Sequence, residues 1–200
     1  MGMPAESRRW SPAEVREMQD GSRAWPRFEL IAGELLVTPA PGAIHQIAVG
    51  EILMLLSGYV DRENVGVALV SPADLDLLFG TIAQPDVFVA PPAGHAHLDQ
   101  LRDWSVVTSL LVAVEVISPS SARSDRVGKR HYYLRASVPE YWIVDVDARV
   151  IERWSPERSM PAILKDTLEW HPAGAGASLI VDLPALFARI WRKFQLITGA

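Results

Sequence analysis

The chain has 200 residues, of which 49% are hydrophobic, and it carries a formal net charge of −5 with no cysteine. We predict a single domain over 1–200, with a core at about 10–155 and an extension of strands and a helix at 156–200, because this length can bury a substantial core. The lack of cysteine excludes a disulfide framework and a thiolate metal site, and the acidic balance excludes broad electrostatic coating of nucleic acid.

The sequence also carries an expectation about cellular location. The first nine residues contain no apolar stretch of signal-peptide length, and no later apolar run approaches the roughly 20 residues that cross a bilayer. The lack of cysteine fits a reducing compartment. We therefore expect a cytoplasmic protein that has no membrane partner.

The N-terminal part predicts a helix, a hairpin and a second helix. Ser11 and Glu14 flank Pro12 in a capping-box pattern, which predicts a helix start. Two short apolar segments, 28–31 and 34–37, surround a turn that contains glycine and predict a β-hairpin. The remaining apolar residues of this part, from 44 to 59, fall on one face of a helix.

The middle of the chain predicts strands at 65–70, 75–79 and 87–90. At the start of the second of these, Asp74 and Asp76 alternate with apolar residues, which is typical of the solvated face of an edge strand. The following stretch, 91–103, predicts a polar loop. Its two histidines, His95 and His97, resemble a metal-binding pair only by their spacing.

The C-terminal half predicts a central strand, a helix and then further strands. The central strand is the apolar run at 110–117, and a serine-rich turn starts a helix that extends from 124 to about 136. The elements predicted beyond it are a strand at 141–145, an antiparallel meander at 149–154, 163–170 and 178–181, and a final helix at 183–193. A mixed α/β fold follows from this order of elements.

Glu115 interrupts the apolar run LLVAVEVI at 110–117. An unpaired charge in a buried strand costs several kcal/mol, so this carboxylate must be paired, protonated or bound to a metal. Asp86 stands at the start of the preceding strand, and if the two strands are neighbours the two carboxylates can converge. Such a pair predicts a Mg²⁺ site, where the ion would acidify a water and stabilise a phosphodiester displacement.

The helix after the central strand adds basic and polar groups to this region. Asp125, Lys129 and Tyr133 recur every fourth residue and share one helix face, so all three can point at the same site. The helix also carries the one distinctly basic patch, formed with Arg123, Arg126, Arg130 and Arg135. We predict that Arg123, Arg126, Arg130 and Tyr133 contact a phosphate-bearing substrate; the alternative is an ordinary solvated helix.

These residues resemble the PD-(D/E)xK nuclease superfamily, and in particular the Uma-type endonuclease family. The resemblance covers roughly 10–154. The pieces that carry it are FELIAGEL at 28–35, His45, QPD at 84–86, VEVISPS at 114–120, the segment Asp125–Lys129, and VPEYWIVD at 138–145.

The resemblance implies a restriction-endonuclease-like fold, with a mixed β-sheet flanked by helices and extra antiparallel strands near the C-terminus. It also implies Mg²⁺-dependent cleavage of phosphodiester bonds, most simply in DNA, with Mn²⁺ able to substitute. Because nucleases that act on both strands often use two-fold symmetry, a homodimer is the default expectation, although the oligomeric state is left open by the sequence. Asp86 and Glu115 are carried over as metal ligands. The lysine that the superfamily places two residues after the acid is replaced here by Ile117, and Lys129 is its predicted substitute.

Two further residues match recurrent positions of the family. The resemblance implies that Glu34 holds a second metal or its water, and that His45 positions a phosphate or moves a proton. Each has a simpler alternative, because Glu34 can be an exposed hairpin residue and His45 a polar surface group.

The other predicted site residues also have structural alternatives. Asp86 can cap a turn, Glu115 can form a salt bridge with an arginine, and Lys129 can be a solvated residue that pairs with Asp125.

At the level of function, two main hypotheses remain. One is a metal-dependent endonuclease, and the other is an inactive nuclease-fold module that binds nucleic acid or protein. A metal-free hydrolase that uses the carboxylate pair is a third.

Overall fold

A computed structural model of the chain describes residues 8–21, 25–92, 104–118 and 121–199. The α-helices are Pro12–Gly21 (α1), Ala43–Glu63 (α2), Ala122–Ser124 (α3), Arg130–Arg135 (α4) and Leu183–Thr198 (α5). A π-helical turn, Asp125–Lys129, joins α3 to α4, and a 3-10 turn covers Trp104–Val106. Of the loop predicted at 91–103, residues 93–103, with His95 and His97, lie outside the described residues.

The strands form one large sheet and two separate hairpins. They are Arg27–Ile31 (β1), Glu34–Thr38 (β2), Val67–Val70 (β3), Val87–Ala90 (β4), Val112–Val116 (β5), Tyr141–Asp145 (β6), Val150–Trp154 (β7), Ala162–Leu164 (β8), Thr167–Trp170 (β9) and Leu179–Asp182 (β10). The six-stranded sheet has the order β3-β4-β5-β6-β7-β8, and β1–β2 and β9–β10 pair by themselves. Among the strands of the described residues, β5 and β6 are the only parallel neighbours in that sheet, so the predicted mixed α/β architecture is confirmed.

The sheet is covered on both faces, and the two faces belong to different cores. Val114 and Val116 of β5 pack with α2 and α5 in the larger core, whereas Ala113 packs with Tyr133 of α4 in the second core. Successive side chains of a strand point to opposite faces. Glu115 therefore faces the same side as Ala113, toward the helical segment that begins at α3.

The start of α1 is the predicted capping box. The Ser11 backbone N–H donates to Glu14 Oε2 at 2.8 Å, and Glu14 N donates to Ser11 Oγ at 3.4 Å. The predicted hairpin is also present, with Ile31 paired to Glu34 across the turn.

Helix α2, at Ala43–Glu63, is longer than the helix predicted at 44–59, and it is more apolar than expected. Its 21 residues include a window with a mean hydropathy of 1.4, so by length and composition alone it could cross a membrane. This differs from the expectation that no apolar run approaches that length. A buried core helix passes the same test, and Ile52, Leu56 and Val60 of α2 are buried in the larger core.

The predicted strand at 75–79 is wrong. Only Leu75 forms a β-bridge, to Ala83, because the side chain of Asp76 accepts hydrogen bonds from Gly80 N and Thr81 N and folds the segment into a turn. Asp74 is also not on the solvated face of a strand, since it accepts from the Gln84 side chain at 2.5 Å.

Several other predicted boundaries need correction. The segment predicted as one strand at 163–170 is two strands, β8 and β9, which belong to different sheets. The predicted continuous meander is therefore broken between them. The predicted final helix at 183–193 extends to Thr198.

Candidate active site

The register of the sheet places Asp86 beside Glu115. Strands β4 and β5 are antiparallel, with Val87 paired to Val114. Asp86 precedes Val87 and Glu115 follows Val114, so both acids lie at the same end of the strand pair. The sequence-based condition that the two strands be neighbours is met.

Glu115 contacts the predicted helix face, which is formed by Asp125, Lys129 and Tyr133. Lys129 Nζ donates to Glu115 Oε1 at 3.0 Å, and the Tyr133 hydroxyl donates to the same oxygen at 3.3 Å. Asp125 Oδ1 lies 3.7 Å from Lys129 Nζ. The spacing of four residues thus brings Asp125, Lys129 and Tyr133 to one side, as expected, and the partner of Glu115 is a lysine rather than an arginine.

A second glutamate, Glu29, joins this cluster and was not predicted. Its Oε2 lies 2.9 Å from Lys129 Nζ, and its Oε1 accepts from Gln84 N at 2.8 Å. The sequence contained a usable signal, because Glu29 interrupts the apolar strand 28–31 in the same way that Glu115 interrupts its own strand. The hairpin brings β1 against the segment before β4 through a bridge between Leu30 and Ile82.

The π-helical turn Asp125–Lys129 carries two members of the cluster. Arg130 N donates to Asp125 O across five residues, and the Tyr141 hydroxyl of β6 donates to the same carbonyl at 3.1 Å. Single π-helical turns of this kind occur frequently at functional sites. Both Asp125 and Lys129 are buried.

Asp86 is held separately from the lysine cluster. The Val116 backbone N–H donates to Asp86 Oδ2 at 2.9 Å, and His45 Nε2 lies 3.1 Å from the same oxygen. Burial alone would raise the pKa of Asp86, but the hydrogen bond and charge of His45, the charge of Lys129 and the Val116 N–H lower it. The Asp86 carboxylate is therefore ionised at neutral pH.

The cluster contains more carboxylates than lysines. Burial, reinforced by Asp86, Asp125 and Glu29, raises the pKa of Glu115 well above its ordinary value although the charge of Lys129 opposes this. Burial likewise acts to lower the pKa of Lys129, but the neighbouring carboxylates, Glu115 first among them, raise it well above the ordinary value. Lys129 is therefore a permanent cation at neutral pH.

These groups line one open cleft of about 220 Å³. Its acidic wall is formed by Glu29, Asp86, Glu115 and Asp125. Its rim is formed by Trp25, the segment 38–42 and the first turn of α2, from which His45 projects. Among the described residues, the other charged side chains that line the cleft are those of Arg27 and Lys129.

Other predicted site residues lie elsewhere. Glu34 is exposed at the start of β2, and it is not among the residues that line the cleft. Tyr133 is fully buried beneath Glu115, so its hydroxyl contacts the acidic cluster rather than the open space. The roles predicted for both residues stay predictions.

The three arginines predicted to contact substrate also do not line the cleft. Arg126 Nε donates to Glu152 Oε1 at 2.6 Å. The guanidinium of Arg130 lies 4.5 Å above the Trp154 ring, and Arg123 is exposed. Any contact they make with nucleic acid would be outside the cleft.

The acidic cluster can be tested for its fit to a divalent cation. Buried carboxylate oxygens are in excess, and Asp125 Oδ1 accepts no hydrogen bond within the described residues. This is the donor chemistry that Mg²⁺ selects. In the part of the chain that the structure describes, however, no three Asp, Glu or His side chains already form a coordination shell. The donors fit Mg²⁺ in kind, and some of the side chains would have to move to bind it.

The sheet, its flanking helices and the acidic cleft at the end of β5 define a nuclease-like α/β protein. Residues 12–180 match the Uma2 family, which is described as "Putative restriction endonuclease", and the chain belongs to this family. Membership of this family supports a nuclease activity, which is the hydrolysis of phosphodiester bonds, and it supports contact with nucleic acid.

A crystal structure from Anabaena variabilis ATCC 29413, described as a "putative nuclease belonging to DUF820", is similar to this chain. The TM-score is 0.66 at 16% sequence identity, and the match covers 88% of this chain and 98% of that one. At this identity the likeness shows a shared fold. No curated protein matches the chain.

Proposed function

We propose that this protein is a metal-dependent endonuclease that cleaves DNA. The observation that best supports the proposal is the acidic cleft, in which Asp86 and Glu115 converge beside Lys129. These are the three residue types that the resemblance implies for the site, and Lys129 reaches Glu115 from the helix. Its position supports its proposed role as the substitute for the lysine missing at Ile117.

In this proposal Asp86 and Glu115 hold Mg²⁺, for which Mn²⁺ can substitute. When bound, the ion would supply Lewis-acid stabilisation of the phosphate and acidify a water. The chain itself supplies a fixed cation, because the raised pKa of Lys129 keeps the ammonium charged. That charge stabilises negative charge that develops on the phosphate, and it excludes Lys129 as a general base at neutral pH.

His45 contacts Asp86, and Glu29 contacts Lys129. His45 Nε2 holds the Asp86 carboxylate at 3.1 Å, and in the proposal it also positions a phosphate or moves a proton. Glu29 holds the Lys129 ammonium at 2.9 Å, so it is a positioning residue. Glu29 also lies in the cleft where the family resemblance had suggested Glu34.

The proposal predicts that cleavage depends on the two acidic ligands. We expect Asp86→Ala and Glu115→Ala to lower the cleavage rate by at least about a hundredfold, since removal of an electrostatic catalytic group has this effect. The measurement is nicking of supercoiled plasmid in Mg²⁺, in Mn²⁺ and in chelator. Covalently closed DNA has no ends, so nicking also distinguishes an endonuclease from an exonuclease.

Two controls make this experiment decisive. Asp86→Asn and Glu115→Gln keep the shape of the side chain, so a loss of cleavage in them reports lost chemistry. Circular dichroism checks that both variants are folded. Asp61→Asn changes an exposed acid on α2 and should leave cleavage unchanged. Full cleavage by both purified cleft variants, or by the wild type in chelator, would overturn the proposal.

One observation favours the second candidate function, an inactive nucleic-acid-binding module. Lys129 stands within 3.0 Å of both Glu29 and Glu115, which satisfies those carboxylates without a metal. Isothermal titration with Mg²⁺ and Mn²⁺ separates the two functions. Retained DNA binding without any metal binding or cleavage would favour the module.

We also propose a homodimer, because two-fold symmetry suits an enzyme that cuts both strands of a duplex. Sedimentation equilibrium gives the mass directly, and a monomer of about 22 kDa at all concentrations would refute this part of the proposal.

A further inference from the structure

The cleft poses an electrostatic problem for an anionic substrate. Glu29, Asp86, Glu115 and Asp125 line it, and all are buried or nearly so. A phosphodiester that enters this space approaches several carboxylates in a medium that screens charge poorly. A Mg²⁺ ion held by Asp86 and Glu115 would offset only part of this charge, so the protein also needs a cation of its own that faces the open part of the cleft and can bind a phosphate.

Lys129 does not meet this requirement by itself. Its side chain is only 6% exposed, and its ammonium contacts Glu29 at 2.9 Å and Glu115 at 3.0 Å. Asp125 stands at 3.7 Å on a third side. The charge of Lys129 is thus already shared among the acids of the cluster.

The Arg27 side chain is more exposed than that of Lys129, at 15% against 6%. It lies at the start of β1, two residues before Glu29, and it lines the cleft. Its Nη1 is 3.7 Å from Asp86 Oδ1, which is longer than a hydrogen bond. The guanidinium is therefore close enough to balance Asp86 without being committed to it.

The Trp25 ring lies against this guanidinium. The central carbon of the Arg27 guanidinium lies 4.5 Å from the centroid of the Trp25 ring, and Trp25 itself lines the cleft. Contact with an aromatic ring engages the planar face of a guanidinium and leaves its in-plane N–H groups available. A planar fork of donors is the arrangement that binds phosphate oxygens in pairs.

We infer that Arg27, packed against Trp25, is the residue that binds a substrate phosphate in the cleft. The inference adds a substrate-binding residue to the proposed function. It rests on that function in one respect, which is that the substrate is a nucleic acid. It assigns to β1 the phosphate contact that the sequence had suggested for the arginines between 123 and 130.

The test is DNA binding by Arg27 variants, measured separately from cleavage. Fluorescence anisotropy of a labelled duplex oligonucleotide is recorded in Ca²⁺, and the recovered oligonucleotide is checked for cuts. We expect Arg27→Ala to weaken binding about tenfold, as for the loss of one charged hydrogen-bonding group. Arg27→Lys, which keeps the charge and loses the fork, should lie between Arg27→Ala and the wild type.

Arg62 offers a matched control. It also lies against an aromatic ring, that of Tyr59, and beside a carboxylate, that of Glu63. It stands near the far end of α2, roughly 25 Å along the helix from His45 at about 1.5 Å per residue. Arg62→Ala should therefore bind DNA as the wild type does.

Salt dependence distinguishes a phosphate contact from a structural role. Loss of one phosphate contact reduces the slope of log K against log salt concentration by about one, whereas a folding defect leaves the slope unchanged. Trp25→Ala should weaken binding less than Arg27→Ala and keep the slope.

The outcomes separate the inference from the proposed function. If the wild type cleaves DNA and Arg27→Ala binds with unchanged affinity and slope, the inference is overturned and the proposed function stands. If the wild type binds DNA through Arg27 but does not cleave it with Mg²⁺ or Mn²⁺, the proposed function fails and the inference stands. A wild type that binds no DNA overturns both.

Discussion

Lys129 is enclosed by Glu29, Glu115 and Asp125 in a position almost closed to water. Buried charge pairs give little net stability when compared with apolar residues of the same shape. Removing one partner is different, because the charge left behind has neither water nor a counter-ion. Among the described residues, Lys129 is the one cation that contacts these three acids, so its loss leaves more than one carboxylate uncompensated.

At the residue scale we therefore predict that Lys129→Met is strongly destabilising. Methionine matches the length of the lysine stem but carries no charge, and the expected loss is roughly 3–5 kcal/mol in the free energy of unfolding. Urea denaturation followed by tryptophan fluorescence measures it.

Two further variants show that the loss is electrostatic. Lys165→Met changes an exposed lysine and should stay within about 0.5 kcal/mol of the wild type. Adding Glu29→Gln to Lys129→Met removes one uncompensated charge and should recover part of the stability. A double variant less stable than Lys129→Met alone would contradict this account.

At the scale of elements, α2 links the cleft to the C-terminal helix. His45 in its first turn contacts Asp86. Less than two turns further on, buried Glu51 forms ion pairs with Arg189, at 3.1 Å, and with Lys193 of α5. Burial alone would raise the pKa of Glu51, but the hydrogen bonds and charges of the two cations lower it. The ionised carboxylate therefore helps to join α2 to α5.

This pairing predicts a pH-dependent contribution to stability. Because the folded-state pKa of Glu51 is below its ordinary value of 4.5, the contribution is present above pH 4.5 and is lost as the pH falls through the folded-state pKa. Glu51→Gln should cost roughly 1 kcal/mol at neutral pH, and the difference from the wild type should shrink at about pH 3.5. Urea midpoints at the two pH values measure it.

Glu17 provides the comparison for Glu51. It is an exposed glutamate on α1, so Glu17→Gln should have little effect at either pH. A Glu51→Gln deficit that is as large in acid as at neutral pH would show that packing, and not ionisation, is what joins the helices.

Local signals predicted some elements well and others poorly. The capping box at Ser11 and Glu14 needs only residues three apart, and it is present as predicted. The error at 75–79 arose because alternation of apolar and polar residues is typical of a strand, whereas Asp76 bonds to backbone N–H groups four and five residues ahead. Side-chain capping of a turn competes with strand pairing, and the alternation pattern does not show which of the two prevails.

At the scale of the whole molecule, a ligand that binds only the folded state stabilises it. If Asp86 and Glu115 hold Mg²⁺, the ion at a hundredfold excess over its dissociation constant should add roughly 2.7 kcal/mol to the free energy of unfolding. The melting temperature should rise with Mg²⁺ concentration, as differential scanning fluorimetry can measure.

This readout does not depend on catalysis. The rise should disappear in Asp86→Asn and persist in Asp61→Asn, which changes a single exposed acid. An equal rise in both variants would place the ion elsewhere on the protein. The homodimer and the cytoplasmic location stay predictions at this scale.

The sequence by itself determined the fold class, the family resemblance and the first part of the site. Glu115 was identifiable because a carboxylate inside an apolar strand needs a partner. The spacing of four residues placed Asp125, Lys129 and Tyr133 on one helix face. Both signals depend only on the local chain, where periodicity is set by the backbone.

Only the tertiary structure decided which groups share the cleft. It brought in Glu29 and Arg27 from β1, placed Glu34 outside, and directed Arg126 to Glu152. The physical reason is that strand register and the docking of the hairpin set these distances. Contacts such as that between Glu29 and Lys129 join residues one hundred positions apart, and no local pattern in either segment specifies the other.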